Sequence, residues 1–166
     1  DGGFTRCGTD DVCEDVEDAE NQPANVPLEV SAETDGLIYA AFTDGSVLSF
    51  DGTGYDYIGT VEDVTNLPAI EVYNGDIYVG DLNNEGASLY RYNEETGEFD
   101  VVLTLESDDT IVNKMQLSDE IDGKQYLVFF TANAEVGSRI LAVDENGDVI
   151  QLVDSGLGGE NPENNA

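Results

Sequence analysis

Apolar and polar residues alternate along this chain in short runs, and glycine, asparagine and aspartate cut the runs at nearly regular intervals. One region holds Leu37-Ile38-Tyr39-Ala40-Ala41-Phe42, Ser46-Val47-Leu48-Ser49-Phe50 and Tyr55-Asp56-Tyr57-Ile58. The pattern returns as Asp76-Ile77-Tyr78-Val79-Gly80, Ser88-Leu89-Tyr90-Arg91-Tyr92-Asn93 and Glu98-Phe99-Asp100-Val101-Val102-Leu103. It returns again as Gln125-Tyr126-Leu127-Val128-Phe129-Phe130, Ser138-Arg139-Ile140-Leu141-Ala142-Val143 and Asp148-Val149-Ile150-Gln151-Leu152-Val153. A shorter alternating run precedes each set: Leu28-Glu29-Val30, Ala69-Ile70-Glu71-Val72-Tyr73 and Lys114-Met115-Gln116-Leu117. A period of two, enriched in Val, Ile, Tyr and Phe and bounded by turn formers, is the mark of β-strands and leaves little room for helix. The chain therefore reads as all-β, with three copies of a four-stranded antiparallel unit.

The copies align on Ser46, Ser88 and Ser138, spaced 42 and then 50 residues apart. Thr96-Gly97 and Asn146-Gly147 supply the positive φ that tight hairpins need. The second strand of each copy is apolar on both phases, as in Leu127-Val128-Phe129-Phe130, and is expected to be buried on both faces; the last strand alternates, as suits a solvent-facing edge. This body covers residues 27–155. Before it, residues 1–26 are acidic, contain Pro23 and lack hydrophobic periodicity, so they read as an arm. After it, residues 156–166 are mostly Gly, Asn, Glu and Pro and read as a flexible tail.

Composition then changes the picture. The 166 residues carry 37 Asp plus Glu against 5 Lys plus Arg, a net charge of −32, with no His. So acidic a surface repels nucleic acid and anionic lipid, which are bound through Lys and Arg. Without His, a His-dependent triad, a His metal site or His-ligated haem is excluded. No run approaches the roughly 18 apolar residues of a membrane helix, so no membrane insertion is expected. The acids are spread through every segment, and at about 1 M salt, where the screening length falls to roughly 3 Å, their self-repulsion is quenched. The composition thus points to a high-salt or marine, extracellular or cell-surface setting. A chain opening on Asp1-Gly2-Gly3-Phe4 without Met reads as a mature form after leader removal, or as a trimmed one. Cys7 and Cys13 lie close together in the polar arm. A disulfide between them is the favoured reading and implies an oxidising compartment; two free thiols are the alternative.

A period of 40 to 50 residues with four antiparallel strands per unit, together with the stretch from Asp76 to Phe99 that ends Tyr92-Asn93-Glu94-Glu95-Thr96-Gly97-Glu98-Phe99, resembles β-propeller blades of the kelch and PQQ-like type. No Trp is present, which argues against WD-type repeats and against a cofactor stacked on Trp. The resemblance implies three four-stranded blades, whereas closed rings have about four to eight. It implies either that oligomerisation completes the ring, two chains giving six blades, or that the units pack as another all-β form such as a β-sandwich.

Candidate chemistry is sparse. Asp144, Asn146 and Asp148 have the spacing that opens an oxygen-ligated calcium loop, but Gly falls at the fourth position of that loop instead of the sixth, and Ser155 stands where a bidentate Glu belongs. A solvated hairpin turn is the competing reading, and calcium the only cofactor suggested. The run Asp10, Asp11, Glu14, Asp15, Glu17, Asp18 and Glu20 holds a divalent ion loosely or is solvated surface. Glu71 and Asp100 alternate with apolar neighbours and are a weak pair for glycoside hydrolysis. The recurring serines read as structural, not as one activated nucleophile. Tyr39, Tyr78, Tyr90 and Tyr92 are expected in core or inter-blade packing, with glycan stacking the alternative. Arg91 and Arg139 are expected to anchor neighbouring blades by ion pairs. The leading expectation is a secreted or cell-surface structural or adhesive module that forms a homo-oligomer, not an enzyme. A glycan- or small-ligand-binding propeller and an extracellular carbohydrate-active hydrolase or lyase are the alternatives.

Overall fold

A computed structural model describes residues 5–7, 13–15, 28–64, 66–81, 86–105, 110–132 and 138–157. Strands β1 (Thr5–Cys7) and β2 (Cys13–Asp15) form a short hairpin inside the acidic arm. The body holds three four-stranded antiparallel meanders. Sheet 1 comprises β3 (Leu28–Thr34), β4 (Leu37–Phe42), β5 (Ser46–Phe50) and β6 (Tyr55–Thr60). Sheet 2 comprises β7 (Ala69–Tyr73), β8 (Asp76–Gly80), β9 (Ser88–Asn93) and β10 (Glu98–Thr104). Sheet 3 comprises β11 (Thr110–Leu117), β12 (Leu127–Ala132), β13 (Ser138–Val143) and β14 (Val149–Leu157). The expected all-β class and the three four-stranded units are thus present.

The turns explain why the chain doubles back where it does. The first hairpins of sheets 1 and 2 close on Asp35-Gly36 (φ 50 and 80) and Asn74-Gly75 (φ 53 and 87), and the same pair recurs in sheet 3 as Asp122-Gly123 (φ 54 and 76). Two consecutive positive φ values make the tight turn whose twist suits antiparallel strands, and Asp-Gly or Asn-Gly is the dipeptide that tolerates it. The third hairpin of each sheet uses another device, in which an Asx carboxyl or amide oxygen at the end of the third strand accepts backbone N–H groups of the turn. Asp51 accepts from Thr53 and Gly54, Asn93 from Glu95, and Asp144 from Asn146 and Asp148.

Those Asx residues give the true register of the repeat. Ser46 and Ser88 each lie five residues before their Asx residue; in sheet 3 the residue five before Asp144 is Arg139, not Ser138. The serine alignment expected from sequence therefore holds for the first two copies and slips by one in the third. In a strand a slip of one exchanges the two faces, so Arg139, directly opposite Thr131, occupies the place that Ser46 and Ser88 take.

Sheets 1 and 2 pack through Ala41, Val47, Val61, Leu67, Ile70, Val72, Ile77 and Val79. Sheets 2 and 3 pack through Tyr73, Tyr78, Leu89, Met115, Leu127, Phe129, Leu141 and Val143. The first strand of the middle sheet, β7, contacts both β3 and β11, so the three first strands lie side by side where the sheets converge. Strand β8 is buried on both faces from Ile77 to Gly80, as expected, whereas β12 alternates between buried and half-buried. The face of sheet 1 turned away from sheet 2 holds a third cluster: Ala40, Phe42, Leu48 and Tyr55.

Candidate functional site

Among the described residues, a cleft of about 300 Å³ opens between sheets 1 and 2, lined by Thr60, Val61, Glu62, Tyr90, Glu98 and Phe99. One wall is the end of β6 and the turn after it. Gly45 (φ 87) places that wall, because its own N–H bonds to the Phe42 carbonyl and its carbonyl accepts the Val61 N–H at 2.9 Å. A Cβ at Gly45 would run into the Val61 carbonyl, so only glycine lets the segment cross there. The other wall is the β9–β10 hairpin, where Phe99 sits opposite Tyr92 with ring centroids 5.3 Å apart at 54°.

Behind Tyr90 lies the least expected residue of the molecule. Asp81 is 1 % exposed; its carboxylate accepts the Ser88 backbone N–H and, at 3.2 Å, the Tyr90 hydroxyl. Burial pushes its pKa above the usual carboxylate range, with the two hydrogen bonds acting against that rise. Burial also raises the Tyr90 phenol, and the neighbouring Asp81 charge adds to it. Sequence reasoning passed over Asp81 because it follows Gly80 at a strand end, where an aspartate looks like one more turn residue. The signal that marks it is Tyr90, two residues past the Ser88 that Asp81 caps. Asp44 does the same for Ser46 from nearby, accepting its N–H at 3.0 Å and its hydroxyl. Both serines are thus held by carboxylates, in keeping with a structural role.

The three residues of the calcium-type spacing share one turn. The Asp144 Oδ1 accepts the backbone N–H groups of Asn146 at 2.8 Å and Asp148 at 3.0 Å, and these bonds lower its pKa. Asn93, which is neutral, does the equivalent work in sheet 2. Among the described residues no group of three or more Asp, Glu or Cys is placed to hold a metal ion. The acidic run from Asp10 to Glu20 falls largely outside the described residues. So do the side chains of Cys7 and Cys13, although the β1–β2 ladder sets the two residues directly opposite each other.

Glu71 and Asp100 are not brought together. They belong to one cross-sheet row, Glu71–Tyr78–Arg91–Asp100, and occupy its two ends. Three strand spacings separate their backbones by roughly 14 Å, beyond the roughly 5 to 9.5 Å at which a carboxylate pair cleaves a glycoside. The four tyrosines pack between sheets: Tyr78 is buried against sheet 3, while Tyr39, Tyr90 and Tyr92 are half-buried at the contact of sheets 1 and 2. Arg91 pairs with Asp76 at 3.8 Å inside its own sheet, so its ion pair does not join two sheets as expected. Its guanidinium nonetheless lies against sheet 3, where a Cβ at Gly147 would approach Nη1 to 3.3 Å. Lys124 reaches Glu145 at 2.6 Å across two hairpin turns of sheet 3. The chain matches no family model and no curated protein among those compared.

Proposed function

We propose that the three sheets are consecutive blades of a β-propeller, and that the protein is an exported or cell-surface structural module that assembles with copies of itself. One observation carries this reading. On sheets 1 and 2 the face turned toward the next sheet is sealed: Ala41 and Val47, then Tyr78 and Leu89, are at most 2 % exposed. On sheet 3 the corresponding face presents Val128, Phe130, Ile140 and Ile150, all only half-buried, with no further sheet of the described residues against them. Such a face is built like an inter-sheet contact whose neighbour has yet to arrive, and burying it is favourable at about 25 cal/mol per Å² of apolar area. The convergence of β3, β7 and β11 adds the blade-like arrangement. The backbone register of Cys7 and Cys13 supports the disulfide and, through it, an oxidising compartment.

Light scattering after size-exclusion chromatography in molar salt tests the assembly. A dimer or larger species is expected, and Phe130→Asp together with Ile140→Asp should dissociate it while circular dichroism stays β-rich. A strictly monomeric wild-type chain would overturn the reading.

A further inference from the structure

The cleft between sheets 1 and 2 has walls of two chemical kinds. Two are aromatic: the Phe99 ring, tilted against Tyr92, and the Tyr90 ring, whose hydroxyl is tied back to the buried Asp81. Two are anionic: Glu62 from the turn after β6 and Glu98 from the start of β10, both exposed at the rim. Neither glutamate takes part in an ion pair among the described residues; Arg91 pairs with Asp76 and Lys124 with Glu145. Phe99 owes its position to Gly59, because a Cβ at residue 59 would come within 3.2 Å of the ring edge. The aromatic wall is therefore fixed from behind and cannot relax into β6.

We infer that this cleft binds a small alkylammonium ion, the nitrogen's apolar substituents against Tyr90 and Phe99 and its charge answered by Glu62 and Glu98. Rings attract cations through the negative potential of their faces, and weakly hydrated, alkyl-substituted ammonium groups gain most from them. A bare metal ion needs several converging oxygens, which the aromatic walls do not supply. A long polymer needs more room than about 300 Å³, whereas that volume is at the small end of ligand pockets and suits one cationic head group. The site lies at the contact of sheets 1 and 2, so it does not depend on self-assembly through sheet 3.

Choline and its uncharged carbon isostere, 3,3-dimethylbutanol, separate charge from shape. Titration of the full chain followed by NMR, in moderate salt, should show choline shifting resonances of the residues around the cleft and binding roughly tenfold tighter than the isostere. Phe99→Leu should weaken choline roughly fivefold, and the pair Glu62→Gln with Glu98→Gln about tenfold. The control removes two exposed acids far from the cleft, Asp119→Asn with Glu120→Gln beside the first hairpin of sheet 3, and should leave binding unchanged. Equal affinity for the isostere, an equal loss in the control pair, or no shift with choline at saturating concentration would overturn the inference. Circular dichroism of each variant separates lost binding from lost fold.

Discussion

The two contacts between neighbouring sheets are built on one lattice but filled differently. Where sheet 2 meets sheet 1, the end of β8 and the middle of β9 contribute Asp81, Tyr90 and Tyr92; at the equivalent places where sheet 3 meets sheet 2 stand Thr131, Leu141 and Val143. The second contact is closed by Phe129, Leu127 and Leu141. The first carries a buried carboxylate, its tyrosine partner and a cleft. The same meander thus yields a dry joint or a cleft depending on a few side chains. A polar pair that must keep its hydrogen bonds holds the larger tyrosine ring in one direction, whereas an aliphatic chain simply fills the space.

The largest expected effect is at the dry joint. Phe129 is fully buried, and Phe129→Ala should destabilise the fold by about 3 to 5 kcal/mol, read from urea melts in molar salt. If the loss is under about 1 kcal/mol, sheet 3 does not depend on sheet 2.

Next comes Asp81. Asp81→Ala leaves the Ser88 N–H without its acceptor and should cost about 1 to 3 kcal/mol. The pH dependence sharpens this. Because the folded-state pKa is raised, the native state holds its proton more tightly than the unfolded chain, so this residue's contribution weakens as pH rises from the ordinary aspartate range through the raised value. Asp51 acts in the opposite sense: its pKa is lowered to about 2 by hydrogen bonds from Gly54 and Thr53, so its contribution is present above the ordinary value and lost as pH falls toward 2. The difference between wild-type and Asp81→Asn stability across pH 3 to 7 should isolate the first effect; a flat difference would mean that Asp81 is not buried in solution.

A smaller effect is expected from salt. Transfer from about 1 M to 0.05 M salt should lower the melting temperature, since the screening length grows severalfold and the net charge of −32 then repels itself. No change would remove the argument for a high-salt setting. The smallest effect belongs to Asp144→Asn. Asn93 performs the same turn-closing task as an amide, so the melting temperature should be indistinguishable from wild type without calcium. A large drop without calcium would mean that the Asp144 charge itself strengthens its turn bonds, and only loss of a calcium-induced stabilisation would favour the metal reading of Asp144, Asn146 and Asp148.

Much of the fold was legible along the chain. Strand β7 runs over Ala69–Tyr73, and β8 ends at Gly80, as the alternation predicts. The candidate site was less legible. Glu62 and Glu98 look like two of 37 acids until the sheets bring them to one cleft, and Tyr90 reads first as a packing residue, with glycan stacking the alternative. The turn glycines illustrate the boundary between the two. Gly97 and Gly147 do have positive φ, at 73 and 82, yet the paired positive φ of the tightest turns falls at Asp35-Gly36, Asn74-Gly75 and Asp122-Gly123.

By itself the sequence determined the local structure: a period of two makes strands, and Asp-Gly, Asn-Gly and the Asx residues Asp51, Asn93 and Asp144 end them, because these are choices made within a few bonds. The tertiary structure alone decided which face each strand buries. Ser138 matches Ser46 and Ser88 by eye, but the packing of Leu127, Phe129 and Leu141 against sheet 2 selects Arg139 for that place. Burial is summed over a whole sheet, so a one-residue slip that is invisible locally exchanges the whole set of side chains that faces sheet 2. For the same reason Asp81 became a buried acid and Asp144 a solvated one, though both are aspartates at the end of a strand.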